Sequence, residues 1–419
     1  MYLRVLRHVV RSSAFARLGP FSRRFYSSKT SKPLRILFCG SDDFSIASLR
    51  ALHEEQKRDP QLIKSIDVLC RPGKPSGRSL KTIREVPIKA AALELGLTVH
   101  ERDTFTGWEL PRPQGEPINL IIAVSFGLFV PPRILRSVEY GGLNVHPSLL
   151  PNFRGPAPLQ HTIMTGVNST GVTLQTMDEV SFDHGMILAQ TPPNGLQVPS
   201  LDTCTYEELL EFITPKAAEM LVEGIRDRAY VPPLKAVGWY ESDQLVPAPK
   251  ITPKHRHIDW EGWEASRIHR HHRALGRLWN RVYVDSHTET TKRLIYEDIE
   301  VAPMPDVLAE WLAESRPDAT GKIIPQQSDS LVRFVVYQDT AGAPKPLPYI
   351  VDGDAVVFAA FPPSMGKGIR VKEITMEGQR KKAASKVMQN FQGREAWELI
   401  KGSGESFGVN PIPPLVKRA

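Results

Sequence analysis

The sequence predicts an α/β chain, a doubly wound and mostly parallel sheet followed by a smaller C-terminal β-barrel. Three observations predict it. Ile118–Val124 is an apolar run broken only by Asn119, the mark of a central parallel strand buried on both faces. Up to Asp227, apolar strand-like runs alternate with amphipathic helical stretches, as in a sheet covered by helices. Beyond about Ile251, short β-branched or aromatic runs lie between turn signals, which reads as a small barrel.

Taken in order, Met1–Pro33 is rich in Arg and Ser, and the first acidic residue of the chain is Asp42. Leu3, Val5, Leu6, Val9 and Val10 interleave with Arg4, Arg7 and Arg11, the composition of an organelle transit peptide. Arg24-Phe25-Tyr26-Ser27 resembles a mitochondrial processing site, so residues 1–33 are expected to be a presequence addressed to the mitochondrial matrix. Leu34–Cys39 is the first strand, Gly40 allows a tight turn, and Asp42 or Asp43 caps a helix to about His53. A dinucleotide fingerprint would need G-x-G-x-x-G here and only one of its glycines is present, which disfavours a nicotinamide or flavin enzyme.

Ser65–Cys70 is the next strand and runs into Arg71–Lys81, a basic loop broken by Pro and Gly that holds Lys74, Arg78 and Lys81. Without apolar anchors, such a loop is expected to order only on an anionic partner. Pro87–Leu95 is a helix and Leu97–His100 a strand. Ile118–Val124 then opens into Ser125–Pro132, where aromatic and aliphatic side chains and free backbone amides suit a flat heterocycle. After the central stretch described next, Met186–Gln190 is a strand and Tyr206–Asp227 a long helix. Ala229–Lys250 is a Pro-rich candidate linker between a domain at 34–228 and a second at 251–419.

Gly141–Gly185 carries the chemistry. Asn144 and His146 are two apart on a short strand, so the amide and the imidazole share one face. Pro147 and Pro151 break the regular backbone, and the Arg-containing loop Asn152–Pro158 precedes a helix. After a strand at Thr170–Thr176, Asp183 stands in an Asp-His-Gly turn. One carboxylate, one imidazole and one amide on strand ends and loops point to proton transfer at a polarised carbonyl.

The order Asn-x-His-Pro-Ser-Leu-Leu-Pro, then Arg-Gly, then Asp-x-Gly resembles the formyltransferases that use 10-formyltetrahydrofolate. Within them it is similar to the mitochondrial branch acting on methionyl-tRNA. The resemblance implies transfer of the formyl group of 10-formyltetrahydrofolate to the α-amine of initiator methionyl-tRNA, for organellar translation initiation. It implies that Asn144 and His146 donate to the developing oxyanion and that Asp183 orients His146 or takes the amine proton through a water. Phe126, Gly127, Leu128, Val130, Pro131 and Ser148 would hold the folate. Pro75-Ser76-Gly77-Arg78 matches a loop that enters the acceptor stem, with Lys74 and Lys81 beside it. Arg380, Lys381 and Lys382 would add phosphate contacts from an OB-like barrel that opens at Ile258-Asp259-Trp260. Gln326–Pro348 looks like an insertion in that barrel, and Asp42 stands where the family usually has proline. Alternatives are a relative formylating a sugar nucleotide or glycinamide ribonucleotide, and a catalytically idle RNA-binding homologue.

Charge supports the tRNA reading only through its distribution. The net charge is +7, but Met1–Tyr26 contributes +6, Ser27–Val246 −3 and Pro247–Ala419 +4. Two clusters, Lys250–Arg281 with eight Lys/Arg and Lys367–Lys386 with seven, are candidate phosphate-binding flanks. The run His269-Arg270-His271-His272 is not read as a metal site, because adjacent residues of a helix do not face one another. Cys39, Cys70 and Cys204 lack metal spacing and are expected to be buried thiols. No run approaches the roughly 20 apolar residues of a spanning helix, so the expectation is a soluble monomer with no membrane partner.

Overall fold

The computed structural model describes residues 29–77, 81–285, 290–314, 331–360 and 366–391. Residues 1–28 of the expected presequence, Arg78 of the basic loop and residues 326–330 of the expected insertion lie outside the described residues.

The first unit runs β1 (Leu34–Gly40), α1 (Asp43–Arg58), β2 (Ile63–Cys70), β3 (Lys74–Ser76), β4 (Thr82–Arg84), α2 (Pro87–Glu94), β5 (Thr98–Glu101) and β6 (Leu120–Val124). It continues with α3 (Pro132–Leu135), β7 (Gly142–His146), α4 (Pro158–Thr165), β8 (Ser169–Thr170), β9 (Thr173–Thr176), β10 (Ile187–Gln190), β11 (Leu196–Gln197) and α5 (Tyr206–Arg226). Seven strands form one sheet in the order β10-β9-β7-β6-β1-β2-β5. The pairs β1–β2, β1–β6, β6–β7 and β2–β5 are parallel, while β9 runs antiparallel to both neighbours.

β1 shows how the sheet is covered on both faces. Leu34, Ile36 and Phe38 face one helical layer, Leu37 and Cys39 face the other side, and all five are fully buried. Chain order reverses between β1 and β6, whose ends pair at Gly40 and Val124. Ligands of open α/β sheets bind outside such a switch point, which fixes where a site belongs.

The expected strand Thr170–Thr176 is broken after Thr170, because β8 leaves the main sheet to pair with β11, Thr170 opposite Leu196. Gly171 permits the break, as a Cβ there would lie 2.4 Å from the Leu149 side chain. The base of the basic loop is itself structured: β3 and β4 form a hairpin with Lys74 opposite Arg84. Residues 29–33, assigned by the sequence to the presequence, lie against the first unit. Lys29 Nζ donates to the Val231 carbonyl at 2.7 Å, and Tyr230 Oη lies 3.0 Å from Ser31 Oγ.

One buried charge clamps α1 to α5. The Glu55 carboxylate, 1% exposed, receives Arg226 Nε and Nη2 at 3.0 and 2.6 Å, and Arg58 from its own helix. Burial pushes the Glu55 carboxyl up, but the two guanidiniums outweigh it and hold the group at about 2. A depressed carboxylate stabilises the fold above its unfolded value, about 4.3, and loses that contribution as pH falls towards 2. Arg226→Ala is therefore expected to lower stability at pH 7 by about 1–3 kcal/mol, with a smaller deficit at pH 3. Urea midpoints at both pH values measure it, and equal deficits would remove the charge explanation.

The second unit opens with α6 (Ala265–Leu275), then β12 (Leu278–Asp285), β13 (Thr290–Tyr296), β14 (Ile299–Pro303), α7 (Asp306–Glu314), β15 (Arg333–Gln338) and β16 (Pro344–Asp352). It closes with β17 (Ala355–Ala359), β18 (Lys367–Val371), β19 (Glu373–Met376), β20 (Lys382–Ala383) and α8 (Ala384–Met388). Nine strands form a curled antiparallel sheet, ordered β14-β18-β17-β16-β15-β12-β13-β19-β20, an OB-like half-barrel. Trp260 sits at its centre, 1% exposed, against Phe358 and Tyr296, with its indole N–H on Asn280 Oδ1 at 2.7 Å. Within the expected insertion, residues 333–338 and 344–348 belong to β15 and β16, which pair from Arg333–Tyr349 to Gln338–Pro344 in the sheet itself.

Candidate active site

β7 presents Asn144 and His146 on one face, between β6 and β9. Asn144 Nδ2 donates to the Ala123 carbonyl at 3.0 Å, which leaves one of its two amide hydrogens free. His146 Nε2 lies 2.9 Å from the Phe153 carbonyl. A carbonyl only accepts, so Nε2 carries the proton, and Nδ1 is an acceptor while the ring is neutral. Nδ1 lies 3.5 Å from Asp183 Oδ1, and both side chains are about nine-tenths buried.

The loop after β7 is folded back to make this geometry. Ser148 Oγ donates to the Asn152 carbonyl and Thr173 Oγ1 to the Ser148 carbonyl, each at 2.7 Å, and the Leu150–Pro151 peptide is cis. Phe153, at φ +55°, donates its N–H to the Val246 carbonyl at 2.7 Å. The Pro-rich segment after α5 is thus irregular but docked. Its Ala248 exchanges backbone bonds with Arg154 and Ala157, and a Cβ on Gly155 would lie 2.3 Å from the Ala248 carbonyl.

Asp183 is held by donors on three sides. Oδ2 accepts from the Gly155 N–H at 2.9 Å, Oδ1 from Gln175 Nε2 at 3.2 Å, and its backbone carbonyl from Arg154 Nε at 2.8 Å. Its φ of +59° is a left-handed conformation, stabilised here by those contacts. Gly185, two residues on, passes so close to β9 that a Cβ would lie 1.7 Å from the Thr176 carbonyl.

Asn144, His146 and Asp183 line one cleft of ≈ 610 Å³, beyond the switch-point ends of β1 and β6. Phe126, Gly127, Leu128 and Val130 form another wall, and Asp42, Phe182 and Lys250 also reach it. The set supplies a carbonyl-polarising amide, a ring nitrogen that can take a proton, and a carboxylate to face the resulting cation.

The family model described as Formyl transferase matches residues 34–223. The chain is 30% identical over 322 residues to the mitochondrial methionyl-tRNA formyltransferase of Saccharomyces cerevisiae, covering 67% of this chain and 79% of that protein. It is 32% identical over 250 residues to the methionyl-tRNA formyltransferase of Caldicellulosiruptor saccharolyticus, covering 59% and 75%. The chain belongs to the methionyl-tRNA formyltransferase family. The human mitochondrial methionyl-tRNA formyltransferase is similar too, 32% identical over 267 residues and 63% of each chain. Among solved structures, a sugar 3N-formyl transferase matches 84% of this chain and 100% of its own at 12% identity, with a TM-score of 0.44.

Against this family background the structure sorts the residues singled out from the sequence. Asn144, His146, Asp183, Phe126, Gly127, Leu128 and Val130 converge on the cleft. Two others do not line it. Ser148 is fully buried beneath, tying the loop to Asn152, and Pro131 stands at the N-terminus of α3. Lys74 and Lys81 are exposed on the β3–β4 hairpin and its tip, away from the cleft wall.

The basic clusters are also redistributed. Lys381 pairs with Glu373 at 2.6 Å, Lys382 bonds Gln379 at 3.3 Å, and Arg380 is exposed. In the other cluster, Arg270 Nε caps the last turn of α4 at the Met164 carbonyl, 3.1 Å away, and Arg273 bonds the Cys204 carbonyl at 2.6 Å. These arginines join the two units. His271 stacks on Trp263 at 4.0 Å between centroids and donates Nδ1–H to the Arg267 carbonyl.

The sequence reading missed Gln175. Its one visible signal is a long amide inside the short strand Thr173–Thr176, whose first three residues are buried.

Proposed function

We propose that this cleft moves the formyl group of 10-formyltetrahydrofolate onto the α-amine of methionine carried by initiator tRNA. Formyl transfer to methionyl-tRNA is the reaction of the family to which the chain belongs. The observation that carries the residue assignment is the linked set Asn144–Gln175–Asp183–His146 at the end of the sheet beside an apolar wall, with His146 and Gln175 buried. The Phe126–Val130 wall takes the flat pterin ring. As the amine attacks the formyl carbon, the free hydrogen of Asn144 Nδ2 meets the developing oxyanion. His146 Nδ1 and Asp183 together accept the proton the amine loses, and return it to N10 as the carbon–N10 bond breaks. With Nε2 occupied by Phe153, His146 donates to the oxyanion only as the cation, through Nδ1.

Mitochondrial relatives in yeast and human support a mitochondrial location, and the Arg-rich leader supports the matrix as destination. We further assign Arg78, with Lys74 and Lys81, to the acceptor stem, Arg380–Lys382 to flanking phosphates, and the working form to a monomer. No helix of the described residues is long and apolar enough to cross a membrane.

The test uses protein beginning at Ser27 with methionyl-tRNA, uncharged tRNA and glycinamide ribonucleotide as parallel acceptors. Formyl transfer to methionyl-tRNA alone is expected. Arg78→Ala should cut kcat/KM for the tRNA by about 10–100-fold, the worth of one charge-assisted contact, and leave KM for the folate unchanged. Transfer to the ribonucleotide, or RNA binding without transfer, would replace this reading with one of its alternatives.

A further inference from the structure

We propose that Gln175 is a positioning residue of the active site, one amide that holds Asn144 and Asp183 in register with each other. The inference rests on the formyl-transfer reading above. Gln175 lies on β9 directly opposite Asn144 in the antiparallel ladder and is 1% exposed. Its Nε2 donates to Asn144 Oδ1 at 3.0 Å and to Asp183 Oδ1 at 3.2 Å.

The orientation of this amide follows from its neighbours. Asn144 spends a donor on the Ala123 carbonyl, so its oxygen is the atom turned to Gln175, and the Asp183 carboxylate also only accepts. Two acceptors can be served only by the NH2 end. The oxygen end, Oε1, is then buried without a hydrogen-bond partner among the described residues. An unpaired buried amide oxygen is destabilising, and an apolar residue of similar length would avoid that cost. The bonded end of the amide is the end that faces the catalytic pair.

Two consequences follow for the reaction. Fixing Asn144 Oδ1 directs the remaining Nδ2 hydrogen, and a donor on Asp183 Oδ1 sets the approach of that oxygen to His146 Nδ1. The titratable and charged groups around Asp183 are His146 on β7, Arg154 on the loop before α4, and Asp42, Asp178 and Lys250 along the cleft. Substituting Gln175 changes none of them, while removing a hydrogen bond to the ionised carboxylate makes that form less favourable.

The test is Gln175→Met, which keeps length and removes both donors. Formyl transfer to methionyl-tRNA is expected to lose about 10²-fold in kcat, with KM for folate and tRNA within twofold. The acid limb of the kcat profile should move to higher pH, and the melting temperature should be unchanged or higher. A wild-type kcat and acid limb, or a kcat loss accompanied by a matching loss of melting temperature, would overturn the proposal. Gln175→Glu guards against a misfolded Met variant. A second carboxylate facing Asp183 should depress kcat more at pH 8 than at pH 6, and a wild-type profile would again overturn it. Wild-type protein that transfers no formyl group would instead overturn the functional reading itself.

Discussion

Asp183→Asn is expected to lose about 10³-fold in turnover while the protein keeps its melting temperature to within a few degrees. The change conserves shape but not hydrogen-bonding sense. The carboxylate accepts from the Gly155 N–H on one oxygen and from Gln175 Nε2 on the other. An asparagine must turn its NH2 towards one of these donors, so one bond becomes a repulsion. It also removes the charge opposite His146 Nδ1, and with it the place where the amine proton is balanced. His146→Ala should show a comparable loss, because Nδ1 is the only ring atom left free once Nε2 is bound to Phe153. Single-turnover transfer from 10-formyltetrahydrofolate, read beside thermal unfolding, tests both. Either variant within tenfold of wild type would exclude its residue from proton transfer.

Gly185→Ala is expected to be the most damaging single-methyl change in the catalytic unit. The added carbon would overlap the Thr176 carbonyl, which is strand backbone and cannot swing aside like a side-chain tip. The turn must therefore lift off β9, at a cost of about 2–4 kcal/mol. For a domain of this size that corresponds to a fall in Tm of roughly 5–10 °C. Asp183 is two residues upstream, so activity measured well below the new Tm should fall as well. Wild-type stability would mean that the turn relaxes freely and that the glycine is not required by β9.

The sequence by itself determined the sheet and the chemical kind of site. A backbone that alternates its side chains puts Asn144 and His146 on one face whatever surrounds them. The apolar run at 118–124, broken only by Asn119, reads as a strand covered on both sides, and the Asp-His-Gly turn announced a carboxylate on a loop. The register of β7 against β9 was not legible, because a pairing offset is set by the whole packed sheet rather than by either strand. Only that register places Gln175 opposite Asn144 and within reach of Asp183. Ser148 and Pro131 shared a motif with cleft residues but do not line the cleft, since neighbours along a chain leave a bend in different directions. The arginines of α6 read as free charge until the two units met, where carbonyls of α4 and of the loop before α5 took Arg270 and Arg273. Local geometry is written residue by residue, whereas partners far apart in the chain exist only after the core has chosen how to pack.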